Sequence, residues 1–183
     1  QAADLPAHPN LVVLPPIVNS DAAGFRAFAA GIGEVLSEDL GPEARAKMHL
    51  SGVGDALKEK ASSPAEAHSH LGADLALQIE LSHNDKTLRI KQQLIETTTG
   101  RVLRAKERNI ASATSPLALL EIMSGDSRKF LNLGREEVRT RKDRFGTEGE
   151  GSMQFYLEGQ GALVTAATPQ DLDAAQSSLE LAL

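Results

Sequence analysis

The residues in this chain best suited to do chemistry are five histidines and a set of closely spaced basic groups. His68-Ser69-His70 is the densest histidine cluster, and two imidazoles could bind a transition metal or shuttle protons. On a helix, however, residues two apart point to different sides, and only Glu66 sits near enough in sequence to be a third ligand. Solvated surface histidines are the plainer reading, and His49 (strand) and His83 (turn) read no differently. Gly31-Ile-Gly33 and Gly52-Val-Gly54 are fragments of phosphate-loop patterns, but the first falls inside a helix rather than between strand and helix. Small residues there fit close packing of the helix on a sheet. No Gly-x-x-x-x-Gly-Lys, His-Glu-x-x-His or kinase catalytic-loop triplet occurs. With no cysteine, thiolate metal sites, disulfides and cysteine nucleophiles are excluded.

Charge is segregated along the 183 residues, whose net charge is −6. Residues 86–108 and 128–144 are basic, whereas Phe145–Leu183 holds six acids and neither Lys nor Arg. The bland reading is a solvated strand face and a solvated helix; the sharper one is a surface for an anionic partner. Phosphate contacts from Arg89, Lys91 and Arg101 would need aromatics or amides beside them to read bases, and only Gln92 and Gln93 qualify. With five Phe, one Tyr and no Trp, base stacking is poorly supplied. A nucleic-acid-binding domain on the strand face 86–108 and a small hydrolase or transferase with an Asp/His cleft are the two alternatives to a binding module.

The elements that must position these groups follow from periodicity. Residues 1–10 carry two prolines and no period, and read as a tether. Leu11–Leu14 is a continuous apolar run, as in a strand covered on both faces, and Pro15-Pro16 ends its pairing. After possible N-caps at Asn19-Ser20-Asp21, Phe25, Phe28, Ala29, Ile32, Val35, Leu36 and Leu40 build one helical stripe, which Gly41-Pro42 stops. Met48–Leu50 is a short strand, a weak helix surrounds Leu57, and Ser63-Pro64-Ala65-Glu66 is a capping box for a helix closed by Gly72.

From Asp74 the period changes to two, giving three strands joined by turns at His83–Lys86 and Thr97–Gly100. Ser115-Pro116 opens a helical region that Gly125 and Gly134 should split or kink. Thr147–Ser152 reads as a linker before two short helices, Met153–Leu163 and Asp171–Leu183. The expected architecture is α/β (α+β): a mixed sheet of about five strands in the order β-α-β-α-β-β-β, a helical extension and a final helix pair. The divisions are a tether at 1–10, an α/β domain at 11–112, a helical connector at 113–146 and a helical hairpin at 147–183. No apolar run is long enough for a membrane span, and the start at Gln1 suggests a processed or excised piece.

Leu11-Val-Val-Leu-Pro15, Asn19, the helix with Gly31, Leu71-Gly-Ala-Asp74, the strand Leu75–Leu81, Leu88-Arg-Ile-Lys-Gln-Gln-Leu-Ile-Glu-Thr-Thr-Thr-Gly100 and Arg101–Ala105 resemble, in order and spacing, the module related to the TolB N-terminal domain. Pro16 and Arg104 stand where that module often has Phe and Trp. Phe155–Gly159, Leu172–Ala175 and Leu179 resemble the start of a tetratricopeptide repeat, with sixteen rather than about twelve residues between Gly159 and Ala175. The resemblance implies an extracytoplasmic location, on a bacterial membrane-anchored signalling protein such as a serine/threonine protein kinase whose catalytic domain would precede Gln1. It implies a non-catalytic sensor or protein-interaction module without cofactor or metal, and no nucleic-acid partner. The partner-contact candidates are Arg89, Lys91, Arg104 and Lys106 on the sheet, with Tyr156 and Leu179 in the repeat. The final helix pair lacks a polar cap, so further repeats or a homodimer through this edge would cover it.

Overall fold

The structure is a computed structural model that describes residues 5–19, 23–84, 86–134 and 150–183. A mixed sheet forms from β1 (Asn10–Val13), β2 (Ile17–Asn19), β3 (His49–Ser51), β4 (Leu75–His83), β5 (Thr87–Glu96) and β6 (Val102–Ala111). Its main path runs β3-β1-β4-β5-β6, parallel on the first two pairings and antiparallel on the last two, with β2 also parallel to β4. The architecture is the expected mixed α/β one, with six strands in place of about five. The sixth arises at the double proline. Neither Pro15 nor Pro16 has an N–H to donate, so the ladder breaks, but the chain resumes along the same neighbour: Val13 pairs with Leu77 and Ile17 with Glu80.

The described helices are α1 (Ala23–Asp39), α2 (Gly41–Lys47), α3 (Val53–Lys58), α4 (Pro64–Leu71), α5 (Pro116–Phe130), α6 (Glu150–Thr165) and α7 (Pro169–Leu181). Gly41 has φ 72° and ends α1 as its sequence implies, yet Pro42 then opens α2 instead of a loop, because proline suits a first helical turn. Helix α5 runs unbroken through Gly125, contrary to the expected split; it stops where Asn132 turns left-handed at φ 53°. Leu117, Leu120, Met123 and Phe130 lie buried along it, and that packing outweighs the roughly 1 kcal/mol cost of one helical glycine. Helix α6 begins at Glu150, inside the stretch whose composition suggests a linker. The rest of that stretch, the end of the connector, Ser20 and Asp21 lie outside the described residues.

One face of the sheet (Leu11, Val13, Leu75, Leu77, Ile79, Leu81, Ile90, Leu94) packs with α1, α5 and α6 into the main core. The opposite face is covered over β1 and the start of β4, where Val12, Leu14 and Ala76 meet Ala56, Ala61 and Ala67. Leu11–Leu14 is buried on both faces, as a continuous apolar run requires. Among the described residues no helix is long and apolar enough to cross a membrane.

Candidate functional site: the groove of the terminal helix pair

Helices α6 and α7 form a hairpin held on the α/β body by glycines. A Cβ on Gly161 would fall on the Ala27 carbonyl oxygen, and one on Gly31 on that of Leu157, so α6 crosses α1 at backbone contact. Gly31 therefore serves helix–helix packing, not the helix–sheet packing its position suggests; Gly33 is the residue that faces Val53 and Pro16. On its other side α6 receives α7: a Cβ at Gly159 would lie 2.7 Å from Leu179 Cγ, and Ala175 is buried between the two helices. The α7 N-terminus is fixed by a capping box, with the Asp171 amide donating to Thr168 Oγ1 (3.3 Å) and Thr168 Oγ1 donating to Asp171 Oδ2 (2.8 Å).

The hairpin leaves an open groove of about 490 Å³, lined by Tyr156, Leu163, Leu172, Leu179, Leu183 and Glu180 among others. Leu163 is 46% exposed and Leu172 49%, values that leave much of two large apolar side chains in water. Tyr156 and Leu179, both singled out in the sequence, thus line one surface. Burial pushes the Tyr156 phenol above its ordinary pKa, and the charge of Glu38 on α1 adds to the shift. Glu38 itself is raised by burial and by Glu34, with Arg45 pulling the other way.

The four basic candidates on the sheet do not form one patch. Lys91 lies opposite Glu107 and Gln92 opposite Lys106, so Arg89 and Lys91 project from one face and Arg104 and Lys106 from the other. Arg89 Nε pairs with Glu107 at 2.8 Å, and Lys91 Nζ with Glu80 at 3.4 Å. Arg104 is drawn across the end of α5, donating to the carbonyls of Phe130 and Lys129 and to Asn132 Oδ1. Lys106 is exposed on the edge strand. Arg101, the third phosphate candidate, pairs with Glu96 at 3.4 Å.

Gln92, one of the two amides adjoining the basic face, is 1% exposed and donates to the Met123 carbonyl and to Ser127 Oγ, tying β5 to α5. It is not available to read a base. Its even-numbered position among Leu88, Ile90 and Leu94 is the signal that would have placed it inside.

All five histidines are exposed. His68 Nδ1 lies 3.2 Å from the Ala73 carbonyl and His70 Nδ1 2.8 Å from that of Glu59, so neighbouring backbone engages both. Among the described residues no cluster of three or more His, Asp or Glu could hold a metal. His83 and Glu158 border a second crevice of about 320 Å³ between the first turns of α1 and α5. There the imidazole rests on Phe25 (ring centroids 5.4 Å apart), and the carboxylate accepts from Gln154 at 2.9 Å. No hydrogen bond or ion pair joins His83 to Glu158, so the oriented base of an Asp/His cleft is not assembled there.

No family model matches the chain, and no curated protein matches it in sequence. Solved structures similar to it include a lipoprotein of Neisseria meningitidis, 20% identical with TM-score 0.44, over 68% of this chain and 99% of that one. The PelC dodecamer of Paraburkholderia phytofirmans is 13% identical with TM-score 0.46, over 73% of this chain and 95% of that one. TolB of Acinetobacter baumannii is 12% identical with TM-score 0.43, over 71% of this chain but 29% of that one.

Proposed function

We propose that this chain is a non-catalytic protein-interaction module acting on the extracytoplasmic side of a bacterial envelope. The observation that carries the reading is the groove of the α6–α7 hairpin: large apolar side chains are left in water on a helix that meets α1 at backbone contact through glycines. An exposed apolar strip on a closely held helix is suited to docking a protein segment. The extracytoplasmic placement is supported by the motifs at Leu11–Pro15, Leu71–Asp74 and Leu88–Ala105 that resemble the TolB N-terminal-related module. The finer reading is a sensor part of a membrane-anchored signalling protein, such as a serine/threonine kinase.

Site-specific photocrosslinking in the native host tests this. A photoreactive residue at Leu163 is expected to give one discrete protein adduct in the envelope fraction, and the same residue at Ser62, on the far side of the sheet, none. Equal labelling from both positions, or adducts confined to the cytosol, would overturn the proposal.

A further inference from the structure

The groove's borders are chemically one-sided, and that selects its occupant. From Gly151 to Leu183 the chain has Glu158, Asp171, Asp173 and Glu180 but no Lys or Arg. Glu180 lines the groove itself. On the side of α1, Glu38 is close enough to Tyr156 for its charge to act on the phenol, and Glu34 lies within reach of Glu38. Arg45 offsets part of this, and Glu34 is held by the Gly54 amide at 3.0 Å, so the carboxylate set in the groove wall itself is Glu180. A second copy docking the same face would bring acids against acids with no base on either hairpin to answer them.

Resting on the interaction reading above, we infer that the groove takes an amphipathic helix of another protein. Its apolar stripe would lie on Tyr156, Leu163, Leu172 and Leu179, and Lys or Arg beside that stripe would meet Glu180 on a hairpin that carries no base of its own. A helix is the form that fits. Two antiparallel helices present ridges and a groove into which a third packs, and the 13 residues of α7 offer ~20 Å of length, about three to four turns.

The test titrates the full chain with fluorescent synthetic helices sharing one leucine stripe but bordered by Lys, by Glu, or by Ser. The Lys-bordered helix is expected to bind at least tenfold more tightly than the Glu-bordered one, and to weaken as salt rises. Glu38→Lys with Glu180→Lys should reverse that order. Leu163→Asp with Leu172→Asp should abolish binding; both positions are half-exposed, so circular dichroism is expected to stay unchanged.

Equal binding of all three helices at the groove would overturn the charge selection while leaving the interaction reading standing. Binding by none would overturn the proposal, and if photocrosslinking from Leu163 also failed, the interaction reading would fall with it. A dimer in sedimentation that Leu163→Asp dissociates would instead make a second copy the occupant, and the proposal would be wrong.

Discussion

Gly31 of α1 and Gly161 of α6 face each other across a helix crossing so close that neither position has room for a methyl group: a Cβ on Gly161 would lie 2.7 Å from the Gly31 amide nitrogen and closer still to Ala27. The obstacle is backbone on both sides, so no side-chain rotation can relieve it. Gly161→Ala or Gly31→Ala is therefore expected to destabilise the chain by about 1–3 kcal/mol or to lift α6 from the body. Gly125→Ala is the control. Nothing lies within 4 Å of a Cβ there, and the position is inside a helix, so stability should rise by roughly 0.5–1 kcal/mol. Urea unfolding of the three variants reads both signs.

That crossing also shows where sequence reading reaches its limit. The alternation at Leu75–Leu81, the Ser63–Glu66 box and the 3.6-residue stripe from Phe25 are local patterns, and each gave an element close to its observed bounds. Which face a glycine serves is not local. Gly31 looks the same in the sequence whether it meets a sheet or a helix 130 residues later. The four sheet cations failed to group for a similar reason: alternation sorts residues within one strand, but only the register between strands, Gln92 opposite Lys106, tells which face of β6 shares the face of Arg89. Tyr156 and Leu179 were legible together because a short hairpin leaves little freedom in register.

Arg128 is 8% exposed, and its guanidinium spans three elements, donating to the carbonyls of Leu40 (3.0 Å) and Gly134 (2.8 Å) and to Glu43 Oε2 (2.8 Å). Arg128→Ala strips the charged partner from two carbonyls and a carboxylate, and should cost on the order of 3 kcal/mol. Arg128→Lys should recover little of it, since a point charge cannot reach three acceptors set in a fork. Chemical denaturation of the pair is the measurement; full rescue by Lys would mean that charge alone sufficed.

Two capping carboxylates and Glu38 should respond to acid in opposite directions. Glu66 is held below its ordinary pKa by the Ser62 hydroxyl, then by the Ser62 amide and the Ser63 hydroxyl; Asp171 is lowered by the Thr168 side chain and nearby amides. A lowered folded pKa means that their contribution is present above the unfolded value and is lost as pH falls through the folded one. Glu38, raised by burial and Glu34, carries a cost that is present above its folded pKa and disappears as pH falls to the ordinary glutamate value. Thermal melts between pH 7 and pH 3 should show overall loss of stability toward acid. Glu38→Gln should stabilise at pH 7, by well under ~1 kcal/mol given solvent screening, and have no effect at pH 3. Ser62→Ala with Thr168→Ala should flatten the acid limb.

Arg89 offers a way to separate an internal ion pair from a partner contact. Its Nε sits 2.8 Å from Glu107 on the neighbouring strand, and the pairing lowers the Glu107 carboxyl through that hydrogen bond. Arg89→Glu sets two carboxylates side by side on adjacent strands, an arrangement that destabilises sheets. Adding Glu107→Arg restores an opposite-charge pair with its order reversed. If the sheet cations serve only the fold, Arg89→Glu should lower the melting temperature slightly, the exchanged pair should bring it back, and crosslinking from Leu163 should be the same in all three proteins. If Arg89 meets an acidic partner, the exchange should restore the melting temperature but not capture, because the cation would then stand one strand away from where the partner needs it. The groove reading predicts the first pattern; the second would place a partner on the sheet face instead.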